Sequence, residues 1–114
     1  MMQNFCELSG DINPMHIDVD FARDNGCKDK LVYGMLSASF YSKLVGVYLP
    51  GKYCLLQNIH VKFHKPVYVG DRLTISGKVS DIIESVKRLE IKATIRNQDG
   101  VKVSSAIIKV GCLK

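Results

Sequence analysis

The segment Phe5–Ala22 reads FCELSGDINPMHIDVDFA, and the rest of the chain is interpreted from it. Asp11 stands five residues before His16, with Asn13 and Pro14 between them. Pro14 fixes its own φ near about −65° and pushes Asn13 out of the helical region, so one continuous helix cannot cross the segment. Phe5 and Leu8 share a face of a short helix over residues 1–8, and Gly10 suits its C-terminal stop. Asp18 is placed to cap a second short helix, residues 19–24, which Asn25 and Gly26 end. Between the two helices lies a structured loop bearing an acid, an amide and an imidazole, groups that proton-transfer chemistry uses. The same residues also have plain structural uses. Asp11 and Asn13 can close Asx turns, and His16 can pack as an ordinary side chain.

Outward from this loop, a charged connection over residues 27–32 leads to the longest helix, about residues 34–47. Met35, Ala38, Phe40, Tyr41, Leu44 and Val45 occupy most of its circumference, a pattern that predicts a buried helix. Pro50 and Gly51 end that section. The stretch Leu31–Pro50 is apolar enough to raise the question of a membrane span. Lys43 near its middle and the hydroxyls of Ser37, Ser39 and Ser42 argue against one. Beyond it, apolar and polar residues alternate. Ile59, Val61 and Phe63 alternate with His60, Lys62 and His64, the two histidines reading as surface residues. Leu73, Ile75 and Val79 alternate with Thr74, Ser76 and Lys78. Leu89, Ile91, Ala93 and Ile95 alternate with Arg88, Glu90, Lys92, Thr94 and Arg96, and a last strand covers residues 101–110. This period of two predicts antiparallel strands covered on one face only. Residues 97–100, Asn-Gln-Asp-Gly, and residues 69–71, Val-Gly-Asp, mark turns. Helices followed by a run of antiparallel strands give an α+β class, a sheet packed on a buried helix.

At 114 residues the chain is one domain, 1–114, with enough sequence for a real core. Cys6, Cys27, Cys54 and Cys112 are widely spaced, without a CxxC pair, so no metal site is expected and reduced, cytoplasmic thiols are the better reading. No signal peptide is expected, because residues 1–9 lack a basic flank and a long apolar run. The net charge of +5 is explained by a solvated basic surface, or by attraction to a phosphate-bearing ligand or an acidic carrier protein. The basic residues are scattered and form no nucleic-acid motif, so no nucleic-acid partner is expected.

Leu8, Ser9, Gly10, Asp11, Asn13, Pro14, His16, Asp18, Phe21 and Ala22 together resemble the signature of the MaoC-like dehydratases and (R)-specific enoyl-CoA hydratases. Val32-Tyr33-Gly34-Met35-Leu36 is similar to that family's Val-His-Gly-Met-Leu. Leu49-Pro50-Gly51, and Phe63 with Pro66, Val67, Gly70 and Asp71, are further family landmarks. The resemblance runs from about residue 5 to the C-terminus. It implies a hot-dog fold, an antiparallel sheet wrapped around the long central helix. Relatives carry a further N-terminal strand and a fuller first helix, so a sheet one strand short is expected.

The resemblance also implies chemistry: a hydro-lyase interconverting trans-2-enoyl and (R)-3-hydroxyacyl thioesters, without a cofactor, coenzyme A or acyl carrier protein being the substrate's carrier. Asp11 and His16 are the expected catalytic pair, sharing one water, and Asn13 fixes the loop or orients a catalytic group. The amide of Gly34, at the start of the long helix, is the expected oxyanion donor. Ser42 matches a serine associated with the family's active site, although a helical serine can also bond back to a carbonyl. Tyr33 replaces a histidine and is expected to reshape the pocket or to replace a hydrogen bond to substrate. A homodimer or higher even oligomer is expected, with Phe40, Tyr41, Val45 and Val47 covered by a partner. The rival readings are a dehydratase acting on carrier-protein or specialised thioesters, and a non-catalytic subunit that binds acyl thioesters or completes a hetero-oligomer.

Overall fold

The computed structural model describes residues 1–113. Three short helices come first: α1 (Met2–Ser9), α2 (Pro14–Ile17) and α3 (Val19–Asp24). Gly10 ends α1 in the left-handed region, φ 73°, and its N–H returns to the Cys6 carbonyl. Asp18 caps α3 as its sequence predicts, with Oδ1 accepting the N–H groups of Asp20 and Phe21 at 3.0 and 3.2 Å. The long helix α4 (Gly34–Lys43) runs on into a π-helical turn, Leu44–Tyr48.

Four strands follow: β1 (Cys54–Phe63), β2 (Thr74–Ile83), β3 (Arg88–Arg96) and β4 (Lys102–Cys112). They form one antiparallel sheet in the order β1-β4-β3-β2. Asn97 closes the β3–β4 hairpin, its side-chain oxygen accepting from the N–H groups of Asp99 and Val101. The register shift between Ile95 and Arg96 leaves Val103 as a bulge on β4, and that residue matters to the site below.

The core lies between α4 and the two central strands. Ala38, Tyr41 and Val45 pack against Ile91, Ala93, Ile95, Ala106, Ile108 and Val110. The Tyr41 hydroxyl is satisfied there by Ser104 at 2.9 Å. Gly77 on β2 lets the helix settle, since a Cβ there would stand 2.9 Å from Leu44 Cδ2.

Two expectations are corrected. The long helix is not buried all round, because four strands cover only one side of it and leave Met35, Val47 and Tyr48 exposed. Tyr41 and Val45 need no partner surface, being 0% and 1% exposed within the chain's own core. The uncovered apolar surface lies on β1 instead. Leu56, Ile59 and Phe63 pair with inward-facing Val110, Ile108 and Ser104, yet all three remain exposed.

Candidate active site

The Asp11–His16 loop is held by a chain of local bonds that its sequence dictates. Ser9 Oγ accepts from Asp11 N–H at 3.1 Å, Asp11 Oδ1 accepts from Asn13 N–H at 3.1 Å, and Asn13 Oδ1 accepts from Met15 N–H at 3.0 Å. The last of these makes Asn13 the N-cap of α2, with Pro14 at the first helical position, where its missing N–H costs nothing. Asn13 thus fixes the loop, one of the two roles its sequence context offered. Asp11 spends Oδ1 on its Asx turn, and its side chain is exposed.

His16 is clamped from the other side. Its Nδ1 donates to the Leu31 carbonyl at 2.9 Å, and Leu31 N–H donates to the Met15 carbonyl at 2.9 Å. Because a carbonyl can only accept, the proton of the neutral ring sits on Nδ1 and Nε2 carries the lone pair.

Tyr33 joins the two halves of the loop. It is 1% exposed, its hydroxyl donates to the Asp11 carbonyl at 2.5 Å, and its ring stacks on His16 with centroids 4.1 Å apart. Phe5 of α1 closes the other side at 4.8 Å. Burial, then the neighbouring Cys6 thiol and the Asp11 charge, push the Tyr33 hydroxyl up to about 12, so it stays a donor. The expectation that Tyr33 shapes the substrate pocket gives way to a scaffolding role, since its ring and hydroxyl are both used inside the loop.

A cleft of 340 Å³ opens beside His16, and Gly34, Ser37, Phe63, His64 and Lys65 line it too. Gly34 is the first residue of α4, so its N–H belongs to the orphan donors of a helix N-terminus. A Cβ at Gly34 would stand 3.3 Å from Phe63 Cε1, so glycine here lets the ring lie close to that amide. The fold therefore brings His16 and Gly34 to one cleft. Asp11, Asn13 and Tyr33 form its supporting loop rather than its wall, and Ser42, two turns along α4, is exposed and outside it. Val32 and Val67, bonded through Val32 N–H and the Val67 carbonyl at 2.7 Å, are shared with an apolar cavity of 580 Å³. Leu36, Phe40, Leu44, Leu73 and Ile75 line that second space.

His64 is exposed, as its place beside His60 in the alternating pattern predicts, yet it also stands at the rim of the cleft. The strand ends at Phe63, and the carbonyl of the Val103 bulge accepts the N–H groups of both His64 and Lys65, at 2.8 and 3.3 Å. His64 lines one edge of the cleft, but its side chain is exposed and its Nε2 meets Ser105 Oγ at 2.8 Å on the outer face of the sheet. No pattern in the sequence announces this bulge. Among the described residues no three His, Cys, Asp or Glu side chains converge as metal ligands would. No described helix is long and apolar enough to cross a membrane.

Comparison with known proteins gives the family and the fold. The family model described as MaoC like domain matches residues 1–101. An (R)-specific enoyl-CoA hydratase of Aeromonas caviae is 34% identical over 108 residues, 93% of this chain and 81% of its own. An (R)-specific enoyl-CoA hydratase of Rhodospirillum rubrum is 36% identical over 90 residues, 79% of this chain; the match spans 62% of that longer protein. The solved (R)-hydratase structure from A. caviae superposes with a TM-score of 0.92 at 32% identity, covering 97% of this chain and 84% of that one. The architecture is the hot-dog fold, and the chain belongs to the MaoC-like domain family.

Proposed function

We propose that the chain is a hydro-lyase that adds water to trans-2-enoyl thioesters and removes it from (R)-3-hydroxyacyl thioesters. The observation that carries this reading is the pairing, in one cleft, of His16, whose Nδ1 is tied to the Leu31 carbonyl, and the N-terminal amide of the central helix at Gly34. The thioester oxygen accepts from Gly34 N–H, which stabilises the enolate-like charge that develops during addition. His16 holds the water from the cleft wall, and Asp11, in the loop behind it, is assigned to the same water through Oδ2, the oxygen its Asx turn leaves unused. As the water oxygen bonds to C3, the C2=C3 π pair moves toward the thioester oxygen and Nε2 of His16 takes the water's proton. That proton then passes to C2 as the enolate collapses, so H and OH add across the double bond. Dehydration runs the same steps backward. The adjoining apolar cavity has the chemistry to accept an acyl chain, and the basic excess favours a phosphate-bearing carrier. Both named relatives are enoyl-CoA hydratases, which supports coenzyme A as that carrier.

The test is absorbance at the enoyl-thioester band with crotonyl-CoA, longer enoyl-CoAs and crotonyl-acyl carrier protein. Loss of absorbance with the CoA series is expected. Turnover of the carrier-protein substrate alone would replace the carrier, and binding without turnover would make the chain a non-catalytic subunit.

The working unit in this proposal is a homodimer. Strand β1 is an edge strand whose Leu56, Ile59 and Phe63 are apolar and uncovered, and such an edge invites pairing with another chain. A second copy related by a two-fold axis would cover both edges at once, beside the clefts that Phe63 lines.

A further inference from the structure

Two of the four cysteines face each other across the sheet. Cys54 opens β1, Cys112 closes β4, and the two are direct partners in the antiparallel register. Neither backbone bonds to the other. Cys54 N–H goes to the Gly51 carbonyl at 2.9 Å and Cys112 N–H turns away to Lys87 of the β3 side at 2.8 Å, while Leu113 N–H bonds to the Tyr53 carbonyl at 2.9 Å next door. This makes them a non-hydrogen-bonded pair, the kind whose Cα atoms approach to about 4.5 Å with the side chains close together. That spacing lies within the range a disulfide spans, and drawing the two sulfurs together breaks no bond of the ladder. Both thiols are free and half-buried, neither sealed in the core nor fully exposed.

We propose that Cys54 and Cys112 are a modification site, a reversible cross-strand disulfide formed by a peroxide. Burial, and then the proximity of Cys112, push the Cys54 thiol up. One of the two sulfurs, as its thiolate, attacks a peroxide oxygen, the O–O bond breaks, and a sulfenic acid forms there with release of water. The other sulfur then attacks the sulfenic sulfur, the S–S bond forms, the S–O bond breaks, and the hydroxide leaves as water with the attacking thiol's proton. Two thiols and one hydrogen peroxide thus give one disulfide and two waters. The bond ties the start of edge strand β1 to the end of β4, at the opposite end of β1 from the catalytic cleft. A thiol reductant reverses it by exchange.

The test exposes the purified 114-residue chain to hydrogen peroxide and maps it under non-reducing conditions by mass spectrometry. The expected result is an intrachain species about 2 Da lighter, whose digest contains a Cys54–Cys112 linked peptide that dithiothreitol removes. Its thermal midpoint should rise by about 5 °C, and the rise should vanish in Cys54→Ser. Differential alkylation of the unsubstituted chain gives the same answer without a variant, since Cys54 and Cys112 should lose reactivity together. Independent oxidation of the four cysteines, a link that joins only separate chains, or a link through Cys6 or Cys27 would overturn the proposal.

Discussion

The Tyr33 hydroxyl reaches across 22 residues of sequence to the Asp11 carbonyl at 2.5 Å. The ring of the same tyrosine lies against His16, so one buried side chain sets the relation between the two residues proposed to share a water. Tyr33→Phe keeps the ring and removes the bond. It should lower the hydration rate for every chain length in the same proportion and lower the melting temperature by a few degrees. Tyr33→His, which restores the family's more common residue, should likewise leave the ranking of chain lengths intact. Kinetics over a series of enoyl-CoAs decide this. A changed ranking would place position 33 in the substrate pocket after all.

Asp11 and His16 are assigned different supports, and their variants should separate folding from chemistry. Asp11→Asn keeps an oxygen for the Asn13 N–H, and His16→Gln keeps a donor for the Leu31 carbonyl. Each should fold normally by circular dichroism and lose about 100-fold or more in hydration rate, the usual size of a general acid–base contribution. Turnover near that of the unsubstituted protein in either variant would remove that residue from the mechanism.

The same loop shows how far the sequence could be read. Gly10, Asp18, Asn97 and Gly100 act through bonds only a few residues long, so composition and spacing revealed each of them. Asp11 and His16 lie in one short signature, which is why the sequence offers them as a pair. The place of Tyr33 was not legible, because its partners come from α1 and from a loop more than twenty residues away, and no local preference reports such a meeting. His64 is exposed, as the alternation predicts, but a bulge on β4, remote in sequence, ends the strand at Phe63 and brings His64 to the edge of the cleft. The burial of Tyr41 and Val45 depended on where the sheet sits over the helix, which periodicity alone does not fix.

Gly34→Ala probes the oxyanion amide through its neighbour. The added Cβ would stand 3.3 Å from Phe63 Cε1, and this ring is 53% exposed, so it can give way. Stability should stay within about 1 kcal/mol of the unsubstituted chain, because alanine's better helix propensity offsets the crowding. The displaced ring and the new methyl group crowd the thioester oxygen, and the rate should fall about 10-fold or more. Adding Phe63→Ala should recover part of that loss. Strictly additive effects in the double-variant cycle would show that the two residues act separately.

Alkaline pH tests the buried state of Tyr33. The unfolded chain releases this proton near 10.0, whereas the folded protein holds it to about 12. Its contribution to stability is therefore full below pH 10.0 and is lost as pH rises toward 12. Burial moves Tyr41 in the same direction, against the opposing hydrogen bond from Ser104. Melting temperatures should fall over this window, and Tyr33→Phe should make the fall shallower. An identical pH profile in the variant would mean that Tyr33 ionises as freely in the folded protein as in the unfolded one.

The proposed dimer rests on the uncovered flank of β1, and Leu56 is the residue that tests it most cleanly. Its side chain faces the helix side of the sheet, opposite Val110, but is 43% exposed. A carboxylate there can still reach water in a single chain, so Leu56→Glu should fold. In a dimer closed through β1 the same charge would be buried beside its symmetry mate, and desolvation and repulsion would both oppose association. Light scattering over a dilution series should show the unsubstituted chain as a dimer and Leu56→Glu as a monomer, with hydration activity falling along with the dimer. The cleft lies at the end of this strand, where Phe63 forms part of its wall, so loss of the partner should reach the site directly. A monomer that is fully active at every concentration would refute the assembly and leave the single chain as the complete enzyme.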